Sequence, residues 1–307
     1  MAAAVIIDMP ETTTTAVNKK LDELREKVGA VTMGRVLTLI IAPENENIFE
    51  ESLEAANNAS HEHPSRVIVT MRGDPYADKP RLDAQLRAGG DTGATEVVVL
   101  RLSGPLYGHS ASVVTPFLLP DIPVVAWWPD VAPAVPAQDP LGKLAIRRIT
   151  DATNGTDPLS AIKSRLAGYT AGDTDLAWAR ITYWRALLTS AVDLSPHEPI
   201  ESALVSGLKA EPALDVLAGW LASRIDGPVR RAVGELKVEL VRKSETIVLS
   251  RPQEGRTATL SRNARPDALL PLARRETGEC LAEDLRRLDA DEIYQTALEG
   301  IEKVQYA

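Results

Sequence analysis

The stretch RVLTLIIA, residues 35–42, decides the fold together with RVIVTM at residues 66–71. Each is a short run rich in β-branched residues, which is typical of a strand buried on both faces. Residues 45–59 between the two runs have helical periodicity. The order strand, helix, strand therefore predicts a βαβ unit, and with it an α/β domain built on a mostly parallel sheet.

Further segments extend this domain. The glycine-rich segment 89–93 separates two apolar runs, 82–86 and 96–102, and predicts an antiparallel hairpin that makes the sheet mixed. PVVAWW at 123–128 predicts another buried strand, and 141–150 predicts a helix followed by a strand. Helices are predicted at 15–29 (ending at Gly29, after a Thr-rich leader expected to be mobile), 107–119 and 158–166.

The remainder predicts a second domain. DLAWARITYWRALLTSAV at 175–192 has the strongest helical periodicity of the chain, and Pro196 and Pro199 follow it. The segments beyond predict a strand at 200–208, a helix at 213–224, an antiparallel meander at 236–241, 246–249 and 257–260, and terminal helices at 267–288 and 291–304. Asp289 and Glu292 occupy capping-box positions for the last helix. We expect a leader with a short helix at 1–30, an α/β domain at 31–193 and a smaller α+β domain at 194–307.

Composition and charge exclude several functional classes. The 307 residues include 34 Lys and Arg against 43 Asp and Glu, a net charge of −9, so nucleic acid is not expected as a partner. A single cysteine, Cys280, cannot form an internal disulfide, which suits a reducing compartment. The apolar runs are far shorter than the ~20 residues that cross a bilayer, and the first residues lack the charge pattern of a secretory leader. We expect a soluble cytoplasmic protein without a membrane partner.

The sequence contains no recognised catalytic motif. It lacks a P-loop, a three-glycine dinucleotide fingerprint and Gly-x-Ser-x-Gly. His61 and His63 have no third ligand at suitable spacing. We expect no catalytic residue, metal or cofactor. The arginines are expected on the surface, with a local phosphate or acidic-partner site as the alternative; those considered are Arg147, Arg148, Arg230, Arg231, Arg242 and Arg251.

The segment GPLYGHSAS, residues 104–112, joins a predicted strand to a helix start. Free backbone amides and the helix dipole favour an anion at such a position. An ordinary turn with a helix cap explains the same pattern, and both interpretations remain open. The candidate anion-binding residues are Gly108, His109, Ser110 and Ser112.

Aromatic residues make up only 4% of the chain and concentrate in two places. Trp127 and Trp128 close a predicted strand at its carboxyl end, where open α/β sheets place ligand or partner sites, and alternation predicts that one of them faces outward. The second cluster lies on the 175–192 helix, and its Trp and Arg residues are of the types that anchor interfaces. Packing of a domain core is the alternative. The candidate partner-binding residues are Trp127, Trp128, Trp178, Arg180, Trp184 and Arg185.

Through SGPLYGHSASVVTPFLLPDIP (103–123), VVAWWPD (124–130) and DLAWARITYWRALL (175–188), the sequence resembles the bacterial OpcA family of glucose-6-phosphate dehydrogenase assembly proteins. The similarity extends from about residue 31 to the last helix. It implies a non-catalytic allosteric activator that binds glucose-6-phosphate dehydrogenase and favours its active oligomer or conformer, and so supports NADPH production in the oxidative pentose phosphate pathway. The resemblance also implies that some members pass thiol redox control to the dehydrogenase. The single Cys280 cannot form an internal disulfide, so this role is not expected of this chain. The alternative function is a sugar-phosphate-binding sensor or enzyme that uses the 104–112 loop. Homo-oligomerisation stays open.

Overall fold

The computed structural model describes residues 5–28, 35–88, 96–155, 157–195, 197–263 and 265–307. The predicted helix end at Gly29, the hairpin turn at 89–93 and the helix-closing Pro196 lie outside the described residues. The chain forms two compact units. The first unit is Met1–Thr150 with Thr277–Ala290, and the second is Asp151–Glu276 with Asp291–Ala307.

This division differs from the domain boundary expected after residue 193. The Trp/Arg-rich helical segment belongs to the second unit because Ile181, Trp184 and Leu188 pack into that unit's hydrophobic core. The segment 277–290 returns to the first unit, where its helix packs against the helix at Glu46–Ser60.

The first unit is an α/β structure with a mixed, mostly parallel sheet. The elements are β1 (Val5–Met9), α1 (Thr14–Val28), β2 (Leu37–Ile41), α2 (Glu46–Ser60), β3 (Ser65–Arg72), β4 (Arg81–Ala88), β5 (Glu96–Ser103), α3 (Ser110–Val114), β6 (Val124–Trp128), β7 (Arg147–Thr150) and α8 (Thr277–Leu285). The strands lie in the order β1-β4-β5-β3-β2-β6-β7. The pairs β1–β4 and β4–β5 are antiparallel, and the other neighbouring pairs, from β5–β3 to β6–β7, are parallel. Both the βαβ unit and the antiparallel strand pair predicted from the sequence are confirmed.

The sheet of the first unit is covered on both faces. Leu86 and Leu100 join Leu21 of α1 in one core, whereas the next residues along the strands, Arg87 and Arg101, lie over the ring of Phe49 in α2. Successive side chains of a strand point to opposite faces, so α1 and α2 cover opposite sides. This explains why β2 is buried along its entire length, as the RVLTLIIA pattern predicts.

Two helix predictions in the first unit are wrong. In place of one helix at 107–119, the chain forms a 3₁₀ turn at Gly104–His109, the short α3 and a second 3₁₀ turn at Thr115–Phe117. Pro116 lacks the N–H that a continuous α-helix needs at its interior positions. The helix expected before β7 is a single 3₁₀ turn, Gly142–Leu144.

The second unit is an α+β structure. Its elements are α4 (Pro158–Ala167), β8 (Asp173–Asp175), α5 (Leu176–Arg180), α6 (Thr182–Val192), β9 (Ser202–Gly207), α7 (Pro212–Ala222), β10 (Val229–Val233), β11 (Lys237–Val241), β12 (Thr246–Ser250), β13 (Thr257–Arg262), β14 (Ala268–Pro271), α9 (Glu292–Gly300) and β15 (Gln305–Tyr306). The sheet follows the order β14-β13-β12-β11-β9-β10-β15. The predicted antiparallel meander is confirmed as β11, β12 and β13, whereas β10 runs parallel to both of its neighbours.

The long helix predicted at 175–192 is two helices. Asp175 caps α5 through its carboxylate, which accepts the Ala177 N–H at 2.9 Å. The chain leaves helical geometry at Ile181, with φ −96° and ψ 4°, before α6 begins. Both helices nevertheless bury their apolar face in one core, as the periodicity predicts.

The terminal helices also differ from prediction. Residues 268–271, expected as helix, form the edge strand β14, since Pro266 and Pro271 disfavour a helix there. The cap of α9 is Asp291 instead of Asp289: its Oδ1 accepts the N–H groups of Ile293 and Tyr294 at 2.9 and 3.0 Å. Every helix among the described residues is too short or too polar to span a bilayer.

Candidate functional site

The structure buries both tryptophans at the end of β6. Trp127 pairs with Ile41 of β2 and Ile149 of β7, so the strand lies inside the sheet. Trp128 belongs to the core that contains α1. The expectation that one of them faces outward is wrong, because both faces of this sheet are covered.

Trp178 is held in place from three sides in the second unit. Its Nε1 donates to Asp291 Oδ2 at 2.8 Å, and its ring lies 5.9 Å from the ring of Tyr294. The guanidinium of Arg185 lies 3.4 Å above the ring centroid. Arg185 also donates to Thr182 Oγ1 at 2.9 Å. These contacts fix the junction of α5, α6 and α9, and they leave Trp178 buried.

Arg180 forms a bidentate ion pair with Asp151. Its Nη1 and Nη2 each donate to one carboxylate oxygen at 2.8 Å, and Nη1 also donates to Thr153 Oγ1 at 3.2 Å. Trp184 is buried in the hydrophobic core of the second unit. Of the six candidate partner-binding residues, two therefore lie in the first unit and four in the second, and all four tryptophans pack inside a core.

The 104–112 loop borders a cleft of about 390 Å³ in the first unit. Of the four candidate anion-binding residues, Gly108 and Ser110 line it, whereas His109 and Ser112 are exposed and lie outside its lining. The cleft lies at the carboxyl ends of β2 and β6. From β2 the chain continues to β3 on one side, and from β6 it continues to β7 on the other, so this is the switch point where such sheets bind ligands.

The charge of this cleft disfavours an anion. Its charged lining residues are the carboxylates Glu44 and Asp139, and none of the described residues that line it is basic. Tyr107 Oη donates to Glu44 Oε1 at 2.8 Å. Burial and this hydrogen bond raise the pKa of Tyr107 to about 12, so the phenol stays protonated. The cleft can therefore offer hydrogen-bond acceptors and a phenol, and it repels a phosphate.

The arginines expected on the surface are mostly buried. Of the six named above, only Arg230 is exposed. Arg147 pairs with Asp284 in the first unit, and Arg242 pairs with Glu245 in the second. The signal that predicts their burial is position in the strand. An arginine at an inward-facing position of an amphipathic strand must pair with another group, but the sequence alone does not identify that group.

Metal-ligating residues and the single cysteine are the remaining features that the sequence analysis considered. Groups of three or more His, Cys, Asp or Glu arranged to hold a metal are absent from the described residues. Cys280, on α8, is fully buried and is not part of a disulfide.

Two family models match the sequence. The one described as the glucose-6-phosphate dehydrogenase subunit N-terminal domain matches residues 56–167, and the one described as the C-terminal domain of the same subunit matches residues 171–298. Both are OpcA models, so the resemblance found in the sequence is confirmed. A search of the curated proteins found no significant match.

Two solved structures are distantly similar to this chain. An oxidoreductase from Sinorhizobium meliloti is 8% identical, with a TM-score of 0.41 over 89% of this chain and 97% of its own. A structure described as trehalose-6-phosphate from E. coli bound with UDP-2-fluoro glucose is also 8% identical, with a TM-score of 0.27 over 64% of each chain. Both scores are below 0.5, so neither carries an argument about function.

Proposed function

Because the chain belongs to the OpcA family of glucose-6-phosphate dehydrogenase assembly proteins, we propose that it is a non-catalytic partner that binds this dehydrogenase and favours its active oligomer or conformer. The observation that carries the proposal is the match of two consecutive family domains over 56–167 and 171–298. In this role the protein acts in the cytoplasm and supports NADPH production in the oxidative pentose phosphate pathway.

Activation follows from differential affinity. A partner that binds the active form of the dehydrogenase more tightly than the inactive form shifts the population toward the active form, and equal affinity for both shifts nothing. A tenfold shift requires a preference of about 1.4 kcal/mol, which a single well-packed contact supplies. No chemistry on the substrate is required of this chain.

We place the partner contact on the exposed face of α6. Tyr183 is 50% exposed there, beside the partly exposed Arg185. The buried Trp178 supports this face, since its ring packs against the guanidinium of Arg185. Tyr and Arg are residue types that anchor interfaces at low cost in side-chain entropy.

Size-exclusion chromatography with light scattering tests the proposal. The protein is mixed with glucose-6-phosphate dehydrogenase from the same organism, with and without substrate and NADP, and NADPH production is assayed across the peak. We expect a co-eluting complex that is more active than the dehydrogenase alone. Separate peaks with unchanged activity under both conditions would contradict the proposal.

The contact face has its own matched control. Tyr183→Ala should weaken dehydrogenase binding at least tenfold, a loss of about 1.4 kcal/mol. Tyr76→Ala removes a tyrosine that is 91% exposed in the first unit and should leave the affinity unchanged. Equal affinities for the two variants would refute the placement on α6 and leave the family function intact.

The alternative function, a sugar-phosphate sensor or enzyme at the 104–112 loop, gains no support from the cleft beside that loop. Its carboxylates, Glu44 and Asp139, would lie against the phosphate of such a ligand.

A further inference from the structure

The cleft at the carboxyl ends of β2 and β6 has the size of a small-molecule site. Its volume of about 390 Å³ lies within the range of ~300–1,000 Å³ that ligand pockets occupy. Three prolines, Pro43, Pro133 and Pro140, belong to its lining and fix the backbone dihedral φ at their positions. A wall held in this way loses little conformational freedom when a ligand binds.

Two carboxylates act on one phenol in this cleft. Tyr107 Oη donates to Glu44 Oε1 at 2.8 Å. Burial is the main cause of the raised pKa of Tyr107, and the hydrogen bond to Glu44 and the charges of Glu44 and Asp139 raise it further. The charge of Asp139 is therefore felt at the same hydroxyl group. Since none of the described lining residues is basic, a cation placed beside this hydroxyl meets two negative charges.

Each of these carboxylates keeps one oxygen for a ligand. Glu44 Oε1 accepts from Tyr107, and Asp139 Oδ1 accepts the Leu141 N–H at 2.8 Å. Glu44 Oε2 and Asp139 Oδ2 receive no hydrogen bond from any described residue. The phenol oxygen of Tyr107 donates its proton to Glu44 and still has lone pairs that accept. These three acceptors match the three N–H donors of a primary ammonium group.

Two buried polar side chains in the wall of the cleft have no partner. Thr70 is 6% exposed and Trp128 is 4% exposed, and both line the cleft. Neither the Thr70 hydroxyl nor the Trp128 indole N–H forms a hydrogen bond with a described residue. Burying a polar group without a partner costs free energy, which a ligand recovers when it supplies the hydrogen bond. The indole N–H needs an oxygen acceptor, and a hydroxyl group of a ligand provides one.

We propose that this cleft binds a small amino alcohol, whose ammonium group lies among Glu44, Asp139 and the Tyr107 hydroxyl. The hydroxyl groups of the ligand form the missing hydrogen bonds with Thr70 and Trp128. This inference concerns a ligand of the first unit and goes beyond the contact with the dehydrogenase, which is placed on α6 of the second unit.

One positive charge opposes this ligand without occupying its place. The guanidinium of the exposed Arg72 lies 5.0 Å from the ring centroid of Tyr107, and its charge lowers the pKa of that phenol. Arg72 is outside the lining and forms no ion pair with either carboxylate. The two carboxylates therefore leave the phenol in a negative environment, and Arg72 weakens the attraction for a cation.

Titration of the full chain with 3-amino-1,2-propanediol at constant ionic strength tests the proposal. The five tryptophans give five indole N–H signals in a proton–nitrogen correlation spectrum, and Trp128→Phe assigns one of them. We expect a saturable shift of the Trp128 signal. Glycerol has a hydroxyl group where this probe has its amine, so it should bind at least tenfold more weakly.

Three variants separate the cleft from the general negative charge of the protein. Asp139→Asn retains the oxygen that accepts the Leu141 N–H and should weaken binding of the amine at least tenfold. Glu51→Gln also removes one negative charge, at an exposed position of α2 outside the cleft, and should bind like the wild type. Arg72→Gln should tighten binding several-fold, a result that loss of folding cannot imitate.

The outcomes that overturn the proposal are distinct from failure of the family function. Absence of saturable binding at millimolar concentrations would refute it, and so would equal weakening by Asp139→Asn and Glu51→Gln. If glycerol binds as tightly as the amine, the assignment of an ammonium group is wrong. Each of these results leaves the co-elution with the dehydrogenase and the effect of Tyr183→Ala untouched.

Discussion

Glu96→Gln should strongly destabilise the first unit, because this carboxylate balances three arginines. Arg25 donates to it through Nε and Nη2 at 2.9 and 2.8 Å, and Arg35 donates through Nη2 at 3.1 Å. Arg66 Nε lies 3.1 Å from Oε1 as an ion pair. The side chains of Glu96, Arg35 and Arg66 are 7%, 8% and 5% exposed. The cluster joins α1 to the amino-terminal ends of β2, β3 and β5.

The expected loss in the free energy of unfolding is about 3–5 kcal/mol, the usual cost when one partner of a buried pair is removed and the other charge stays buried. Burial already lowers the pKa of Arg66 to about 10, although Glu96 opposes that change. Glutamine keeps the shape of the side chain but removes the charge, so Arg35 and Arg66 would remain buried without a counter-ion.

Glu50→Gln is the matched control. Glu50 receives a bidentate contact from Arg87 at 2.9 and 3.1 Å, but its side chain is 59% exposed, and exposed pairs contribute about 0–1 kcal/mol. Urea unfolding followed by circular dichroism gives both losses. Hydrogen exchange should show reduced protection of β2, β3 and β5 for Glu96→Gln alone. If that variant loses no more stability than Glu50→Gln, the reasoning about charge balance is refuted.

The same cluster sets a pH dependence. Burial by itself would raise the pKa of Glu96, but the hydrogen bond from Arg25 and the charges of Arg35 and Arg66 hold it below its ordinary value. A carboxylate whose pKa is lowered by folding stabilises the protein fully above its unfolded pKa of ~4.3 and loses this contribution as the pH falls through the folded value. The stability difference between the wild type and Glu96→Gln should therefore shrink below about pH 4.

Three further predictions concern residues singled out in the sequence. Arg180→Ala leaves the fully buried Asp151 carboxylate without its bidentate partner and should lower the free energy of unfolding by about 3–5 kcal/mol in urea. Asp291→Ala removes both the cap of α9 and the acceptor of the Trp178 N–H, so the unfolding free energy should fall by about 2–4 kcal/mol, with a red shift of tryptophan fluorescence. Cys280 is fully buried, so a thiol reagent should modify it only after unfolding, at one thiol per chain; rapid reaction of the native protein would contradict its placement.

The sequence predicted elements well where burial alone determines them. The runs at 35–42, 66–71 and 123–128 form strands because continuous β-branched and apolar residues fit the interior of a parallel sheet. The meander is predicted by alternation of apolar and polar residues. Helix ends were predicted less well, since Pro116 and Pro271 act locally on backbone hydrogen bonds within a pattern that otherwise favours a helix.

The candidate site was harder to predict because residue type does not give exposure. Trp178 and Trp184 have the chemistry of interface anchors, yet the same large apolar surface makes them effective core residues. Arg251 belongs to a type usually found at the surface, and it is buried beside residues from distant segments. Arg180, Arg251, Arg274 and Arg275 line one small recess in the second unit. Only the tertiary structure brings these residues together, so neither spacing nor local periodicity predicts their grouping.

The buried arginines fall into two groups with different consequences. Those beside Glu96, Asp151 and Glu245 meet a full negative charge, so they hold separate segments together and their positive charge is balanced within the fold. Arg251 instead donates to the backbone carbonyl of Leu272, which carries only a partial charge. Removing Glu96, Asp151 or Glu245 leaves a full positive charge buried without its counter-ion, so these carboxylates contribute more to the stability of the fold than a carbonyl acceptor does.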